Sequence, residues 1–169
     1  MTDTTTDHKK LNAIVTSLAY AMFTTRSRNG ELISRPLQTL QMDSAGALWF
    51  FTSAGSAKIG ELARDARVNL TYADPAHKQF VSIVGHAQLV DDRAKVDELW
   101  TPAQTIFFPR GRDDPSLALL KVVPESARFW DGNESVLGLA LKFGKAVLRR
   151  EASDLGRCED LDLRGPERS

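Results

Sequence analysis

Cysteine is nearly absent from this sequence: Cys158 stands alone among 169 residues. A lone thiol excludes an internal disulfide and any multi-cysteine metal site. An excess of one charge is also missing, since 22 basic residues balance 22 acidic ones. The chain therefore lacks the bulk attraction that carries proteins to DNA, RNA or anionic lipid. No apolar run approaches the roughly 20 residues of a membrane span. The opening MTDTTTDHKK places no apolar stretch behind a charged start, so no signal peptide is expected. His8, His77 and His86 are scattered without metal-ligand spacing, and no metal is expected. Ser34, Ser53 and Ser56 sit in no GxSxG setting, which argues against a serine hydrolase. Asp91-Asp92 and Asp113-Asp114 read as turn and cap residues rather than an acid/base pair.

What remains is ordinary globular material, 42% hydrophobic and 26% charged, of a length that suits one domain. A cytoplasmic protein is the simplest expectation. Thr6 or Asp7 can cap a first helix whose apolar face is Leu11, Ile14, Val15 and Leu18. The period then changes to that of strands. Residues 19–26 and 31–42 flank an Asn29-Gly30 turn, and Asp43-Ser44-Ala45-Gly46 leads into a third strand over 47–52. Strands joined by such short turns are antiparallel neighbours.

A short helix is expected over 56–64 with Ile59, Leu62 and Ala63 inward, followed by strands over 67–73 and 78–90. Gly85 inside the latter points to a bulge or a close approach. Residues 91–100 read as helix, 101–115 as a loop-rich excursion, and 117–123 and 125–131 as strands meeting at Pro124. The fold class is mainly β with short helices, a six- to seven-stranded antiparallel split barrel. Residues 1–148 are expected to form the domain, with a helical pattern over 136–143 interrupted by Gly144. Residues 149–169 read as a charged, loose C-terminal tail.

The stretch LWFFTSAGSAKI, Leu48 to Ile59, turns within one residue from aromatic strand to small and polar residues and then to Lys58. If Ser56 starts the helix, Lys58 lies in its first turn, where unpaired N–H groups and the helix dipole favour an anion. Thr52, Ser53 and Ser56 add hydroxyls, and Gly55 permits close backbone approach. One cation at such a start suits a phosphate monoester, although strands also reach helices through Ser/Gly loops for packing alone. On the preceding strand, Arg35 interrupts an uncharged run and is followed by Pro36. A mid-strand arginine needs water or an anion at its head, and the proline marks an edge, bulge or barrel mouth. Arg35 and Lys58 can then share one rim. Arg35 snorkelling to solvent is the alternative.

These pieces, with SRPLQTL, ARVNLTYADP, FVSIVGHAQLVDD and the later ELWTPA and FFPRGRDDPSLALLKVVPESARFWD, occur in an order that resembles the pyridoxamine 5′-phosphate oxidase-like, FMN-binding split barrels. The general stress protein 26 branch is the most similar. The resemblance spans about residues 13–131 and implies a homodimer with FMN at its interface. By position, Arg35 contacts the phosphate, with Ser56 and Lys58 completing that site. Pro36 and Leu37 line the flavin by their backbone, and Phe51 and Thr52 flank the ring and ribityl chain. Trp100 and Trp130 each read as core, but the resemblance puts the Trp100 segment and the FFPRG loop near the flavin's open face, where an aromatic can stack.

Three departures exclude vitamin B6 oxidation. The oxidases carry an arginine immediately before the lysine, where this chain has Ala57, so one charge-assisted contact is missing. They also place a substrate-binding lysine five residues after the strand arginine, where this chain has Leu40. Their C-terminal arginine and histidine pattern has no counterpart in the charged tail. The expectation is a flavoprotein oxidoreductase of unknown small-molecule substrate, with a stress-related role, in which flavin does the redox chemistry and no side chain is singled out as catalytic. The alternatives are a non-enzymatic flavin store or sensor, or a split barrel holding deazaflavin or haem. Haem is disfavoured by the lack of a well-placed axial histidine.

Overall fold

The chain's computed structural model describes residues 4–131 and 157–162. Its elements are α1 (Thr4–Leu18), β1 (Tyr20–Arg26), β2 (Leu32–Met42), β3 (Leu48–Ser53), α2 (Ala57–Arg64), β4 (Arg67–Asp74), β5 (Gln79–Val90), α3 (Arg93–Leu99), β6 (Leu117–Asp131) and β7 (Arg157–Asp162). Two 3₁₀ turns, Pro102–Ile106 and Gly111–Asp113, lie between α3 and β6. The strands run in the order β3-β2-β1-β4-β5-β6-β7, and β3 also pairs with β6. That last pairing closes six antiparallel strands into a barrel, as the short turns required.

Alternation along the strands sorts the side chains. Phe23, Phe50, Leu70, Tyr72, Ile83 and Leu120 are fully buried inside, and Phe23 and Phe50 meet edge to face at 5.8 Å. The Tyr72 hydroxyl is paired with that of Thr39 at 2.7 Å, and burial pushes its pKa well up. α1 covers the barrel with Leu11, Ile14 and Val15, the face its spacing predicts. On the outside of β3, Trp49 and Phe51 pack with Val96, Leu99, Phe108 and Leu119. Asp92 caps α3 by accepting from Lys95 N at 2.9 Å, so it serves as the cap its position implied.

Three features differ from the sequence-based expectation. Residues 117–131 form one strand through Pro124, not two. Within the expected loose tail, Arg157–Asp162 pairs with β6 over Ser126–Asp131. β2 carries an irregularity between Thr39 and Gln41, after which Gln41 stays on the outer side with Leu40 and Met42 returns to the core. The helical pattern over 136–143 lies outside the described residues.

Gly85 behaves as its position suggested. The β5–β6 register shifts there, from Val84↔Ser126 to Gly85↔Pro124, so Glu125 is skipped. The two backbones come so close that a Cβ on Gly85 would collide with the Val123 carbonyl oxygen and lie 3.1 Å from Pro124 Cα. Both obstacles are backbone and must shift to make room. Gly85→Ala is therefore expected to destabilise the fold by about 2 kcal/mol and to lower the thermal midpoint by roughly 5 °C, read by circular dichroism melting.

Candidate functional site

The interior of the barrel turns polar at the end reached by β1, β2, β3 and α2. On β1 the inward positions are Ala21, Phe23 and Thr25, all buried. On β2, Arg35 stands opposite Phe23. On β3, Thr52 follows Phe50 on the inward face and is 4% exposed. α2 is laid across this end and buries Lys58, Glu61 and Leu62, where its apolar residues predicted Ile59, Leu62 and Ala63. Ala63 is exposed instead. The helix presents a charged pair inward because the strands beneath it supply polar partners.

Those partners form two linked groups. The Lys58 ammonium donates to Thr52 Oγ1 at 2.6 Å and to Ser56 Oγ at 3.0 Å. Ser56 sits at the N-cap of α2, yet its side chain makes no cap bond. Its hydroxyl faces the lysine instead. Beside them, Glu61 Oε2 accepts from Thr25 Oγ1 at 2.6 Å and from Arg35 Nη1 and Nη2 at 3.0 and 3.1 Å. Arg35 Nη1 also donates to Thr25 Oγ1 at 2.8 Å. The Thr25 hydroxyl thus accepts from the arginine and commits its single proton to the carboxylate.

Electrostatics follow from this packing. Burial lowers the Lys58 pKa and the Arg35 charge lowers it further, while Glu61 opposes both. The Thr25 hydrogen bond holds the Glu61 carboxyl below its ordinary value, against the desolvation that would raise it, and Arg35 adds to the lowering. Among the described residues, Lys58 has no carboxylate at ion-pair distance and donates to hydroxyl oxygens. A water-poor cation held only by neutral oxygens is a place where an anion is favoured.

The expected site residues thus divide into two sets on opposite faces of β3. Arg35, Thr52, Ser56 and Lys58 gather at the polar barrel end. Phe51 points to the outer side, where its ring lies 6.0 Å from Trp100 and 6.4 Å from Phe108. Pro36 is exposed, whereas Leu37 packs against the core. Ser53 is exposed, and its carbonyl accepts from Ser56 N at 3.1 Å in the turn between them. Ala57 is exposed at the first residue of α2. The residues that sequence reasoning missed are Thr25 and Glu61. Thr25 was visible as the polar member of an inward alternation, and Glu61 as the residue one turn beyond Lys58.

Elsewhere, a cleft of about 350 Å³ lies between the end of β5, α3 and the start of β6, lined by Leu89, Val96, Arg112, Asp114, Leu117 and Leu119 among others. It does not include the polar cluster. No group of three or more metal-ligating side chains occurs among the described residues. His86 is half exposed and faces Glu125 at 2.7 Å. No helix among the described residues is long and apolar enough to cross a membrane.

A closed six-stranded barrel with a cation-bearing end beneath α2 defines a split-barrel protein. The family model described as pyridoxamine 5′-phosphate oxidase like matches residues 6–154, and the chain belongs to that family. It is 24% identical over 161 residues to protein bli-3 of Neurospora crassa, covering 89% of this chain and 77% of that protein. The general stress FMN/FAD binding protein of Xanthomonas citri is 32% identical, with a TM-score of 0.65 over 76% of this chain and 90% of that one. A protein related to general stress protein 26 from Clostridium acetobutylicum shares the fold with a TM-score of 0.68 at 23% identity, over 78% of this chain and 92% of that one.

The depressed Glu61 pKa sets a pH dependence. Folding favours the ionised carboxylate, so its contribution to stability is fully present above the ordinary value of 4.5 and is lost as pH falls through the lower folded-state value. Glu61→Gln removes this linkage. The stability difference between wild type and Glu61→Gln is expected to be largest near neutral pH and to shrink below pH 4.5, as measured by urea unfolding at a series of pH values.

Proposed function

We propose that this chain is an FMN-binding flavoprotein that works as an oxidoreductase on a small molecule. The Lys58 ammonium carries this reading: it is buried, it donates to two hydroxyls and to no carboxylate among the described residues, and it lies close enough to Arg35 to feel its charge. Such a group is completed by an anion. Arg35, Ser56 and Lys58 would hold the flavin phosphate. Thr52 and Ser53 would contact the ribityl chain, and Pro36 and Leu37 the ring through their backbone. Trp100, half-buried and packed at 6.0 Å on the buried ring of Phe51, is the aromatic that would meet the flavin. Bound flavin supplies hydride or single-electron transfer, and the protein's part is to orient it and set its potential. The similar Xanthomonas citri protein, described as FMN/FAD binding, supports the cofactor class. Leu40, packed in the outer cluster where the oxidases place a substrate-binding lysine, argues against pyridoxamine phosphate as substrate.

The test is an absorbance and fluorescence titration of purified protein with FMN and with riboflavin. FMN is expected to bind well and riboflavin poorly. Lys58→Ala and Arg35→Ala should each weaken FMN roughly tenfold to hundredfold while changing riboflavin little, the loss of one charge-assisted contact. Equal binding of the two flavins, or none, overturns the assignment. Turnover of an added electron acceptor by the reduced protein separates an enzyme from a flavin store or sensor.

The same reading includes a homodimer with flavin at its interface. The outer face of β1 and β2 supports it, because Tyr20 is 55% and Met22 44% exposed, and Met22 stands opposite the exposed Pro36. Sedimentation should give twice the chain mass, and Met22→Lys should shift the protein toward monomer. A monomeric wild type removes the interface from the proposal.

A further inference from the structure

Resting on the flavin reading, we propose that Glu61 and Thr25 are positioning residues that aim one edge of the Arg35 guanidinium at the cofactor's phosphate. The inference comes from which hydrogens of Arg35 are already used. Nη1 donates to Thr25 Oγ1 and to Glu61 Oε2, and Nη2 donates to the same Oε2. One carboxylate oxygen reached from both Nη atoms is an end-on contact. It takes the two hydrogens that face each other across the end of the guanidinium, and Thr25 takes the other hydrogen on Nη1. What remains is Nε–H and the adjacent Nη2–H, the parallel pair that matches two oxygens of a phosphate or carboxylate.

The arrangement is rigid for a second reason. Thr25 is 1% exposed and the Glu61 side chain 10%, so water does not compete freely for these bonds. The Thr25 proton goes to Glu61 because its oxygen accepts from Arg35, which closes a three-membered ring of hydrogen bonds. A guanidinium held at one end cannot turn its free edge away without breaking all of them. Its free edge is then organised before any ligand arrives, and less conformational freedom is lost on binding. Glu61 also lowers the positive charge beside Lys58, so the same carboxylate could instead oppose a phosphate. The two roles give opposite signs.

The experiment measures FMN and riboflavin affinities by flavin fluorescence for wild type, Glu61→Ala, Glu61→Gln and Thr25→Val. It also records the Arg35 Nε–H NMR signal in flavin-free protein. Positioning predicts that Glu61→Ala weakens FMN by about tenfold or more, with riboflavin within about twofold. Glu61→Gln, whose amide oxygen still accepts, should stay within about threefold of wild type for FMN. The Nε–H signal should be sharp in wild type and Glu61→Gln and lost in Glu61→Ala. If Glu61→Ala binds FMN as tightly as wild type or tighter, the carboxylate opposes the phosphate and the proposal is wrong. Should Glu61→Ala fail to fold, Thr25→Val decides: a selective loss of FMN supports positioning and unchanged affinity overturns it. A wild type that binds neither flavin sinks the cofactor reading, and the NMR signal still decides whether Glu61 and Thr25 hold the arginine.

Discussion

The barrel end depends on one interaction, the ion pair between Arg35 on β2 and Glu61 on α2, closed by Thr25 on β1. Each member needs the others. A carboxylate in so dry a place is unfavourable unless donors meet it, and removing one partner of a buried pair typically costs about 3–5 kcal/mol. An arginine facing the inside of a barrel, opposite Phe23, has the same problem. Together they let a charged face of α2 lie on the barrel, which fixes where the helix starts and hence where Lys58 stands. The turn leading from β3 into α2 is thereby placed as well, since Ser56 is both the helix N-cap and a lysine acceptor.

Much of this fold could be read from the chain. Strand alternation, the Asn29-Gly30 and Asp43–Gly46 turns, the Asp92 cap and the bulge at Gly85 are local signals, and local chemistry determines them. The rotation of α2 was not legible in the same way. Read alone, its apolar residues direct Ile59, Leu62 and Ala63 inward. Glu61 goes in because of Arg35, 26 residues earlier in sequence, and a pattern confined to one helix carries no trace of that partner. β7 was missed for a related reason. Its residues, RCEDLD, are mostly charged, and what makes them a strand is backbone pairing to β6, which requires no apolar alternation.

Of the polar cluster, Arg35, Thr52, Ser56 and Lys58 stood out in the sequence, whereas Thr25, Glu61 and the division of the candidate residues between two faces of β3 did not. Adjacent residues on a strand face opposite sides, so Phe51 and Thr52 belong to different surfaces although they are neighbours in sequence. Thr52 reaches Lys58 inside the barrel end. Phe51 meets Trp100 and Phe108 outside it. A single ligand that touches both surfaces has to pass over the end of β3, at the turn 53–56, where Ser53, Ala54 and Gly55 are exposed. On the proposed reading, the small exposed residues of this turn keep that path open.

The same site works against the stability of the chain that carries it. Burial and the Arg35 charge disfavour the protonated form of Lys58, and its hydroxyl partners return only part of the hydration that an ammonium has in water. A methionine of similar length would sit there with less conflict. Strain of this kind, kept where packing alone would remove it, belongs with binding sites rather than with cores. Glu61 limits the conflict, since among the described residues it is the carboxylate whose charge raises the lysine's pKa. It does so while bonded to Arg35 and Thr25, bonds that use three of the five guanidinium hydrogens and leave Nε–H and one Nη2–H. One side chain therefore meets the needs of both cations at this end of the barrel.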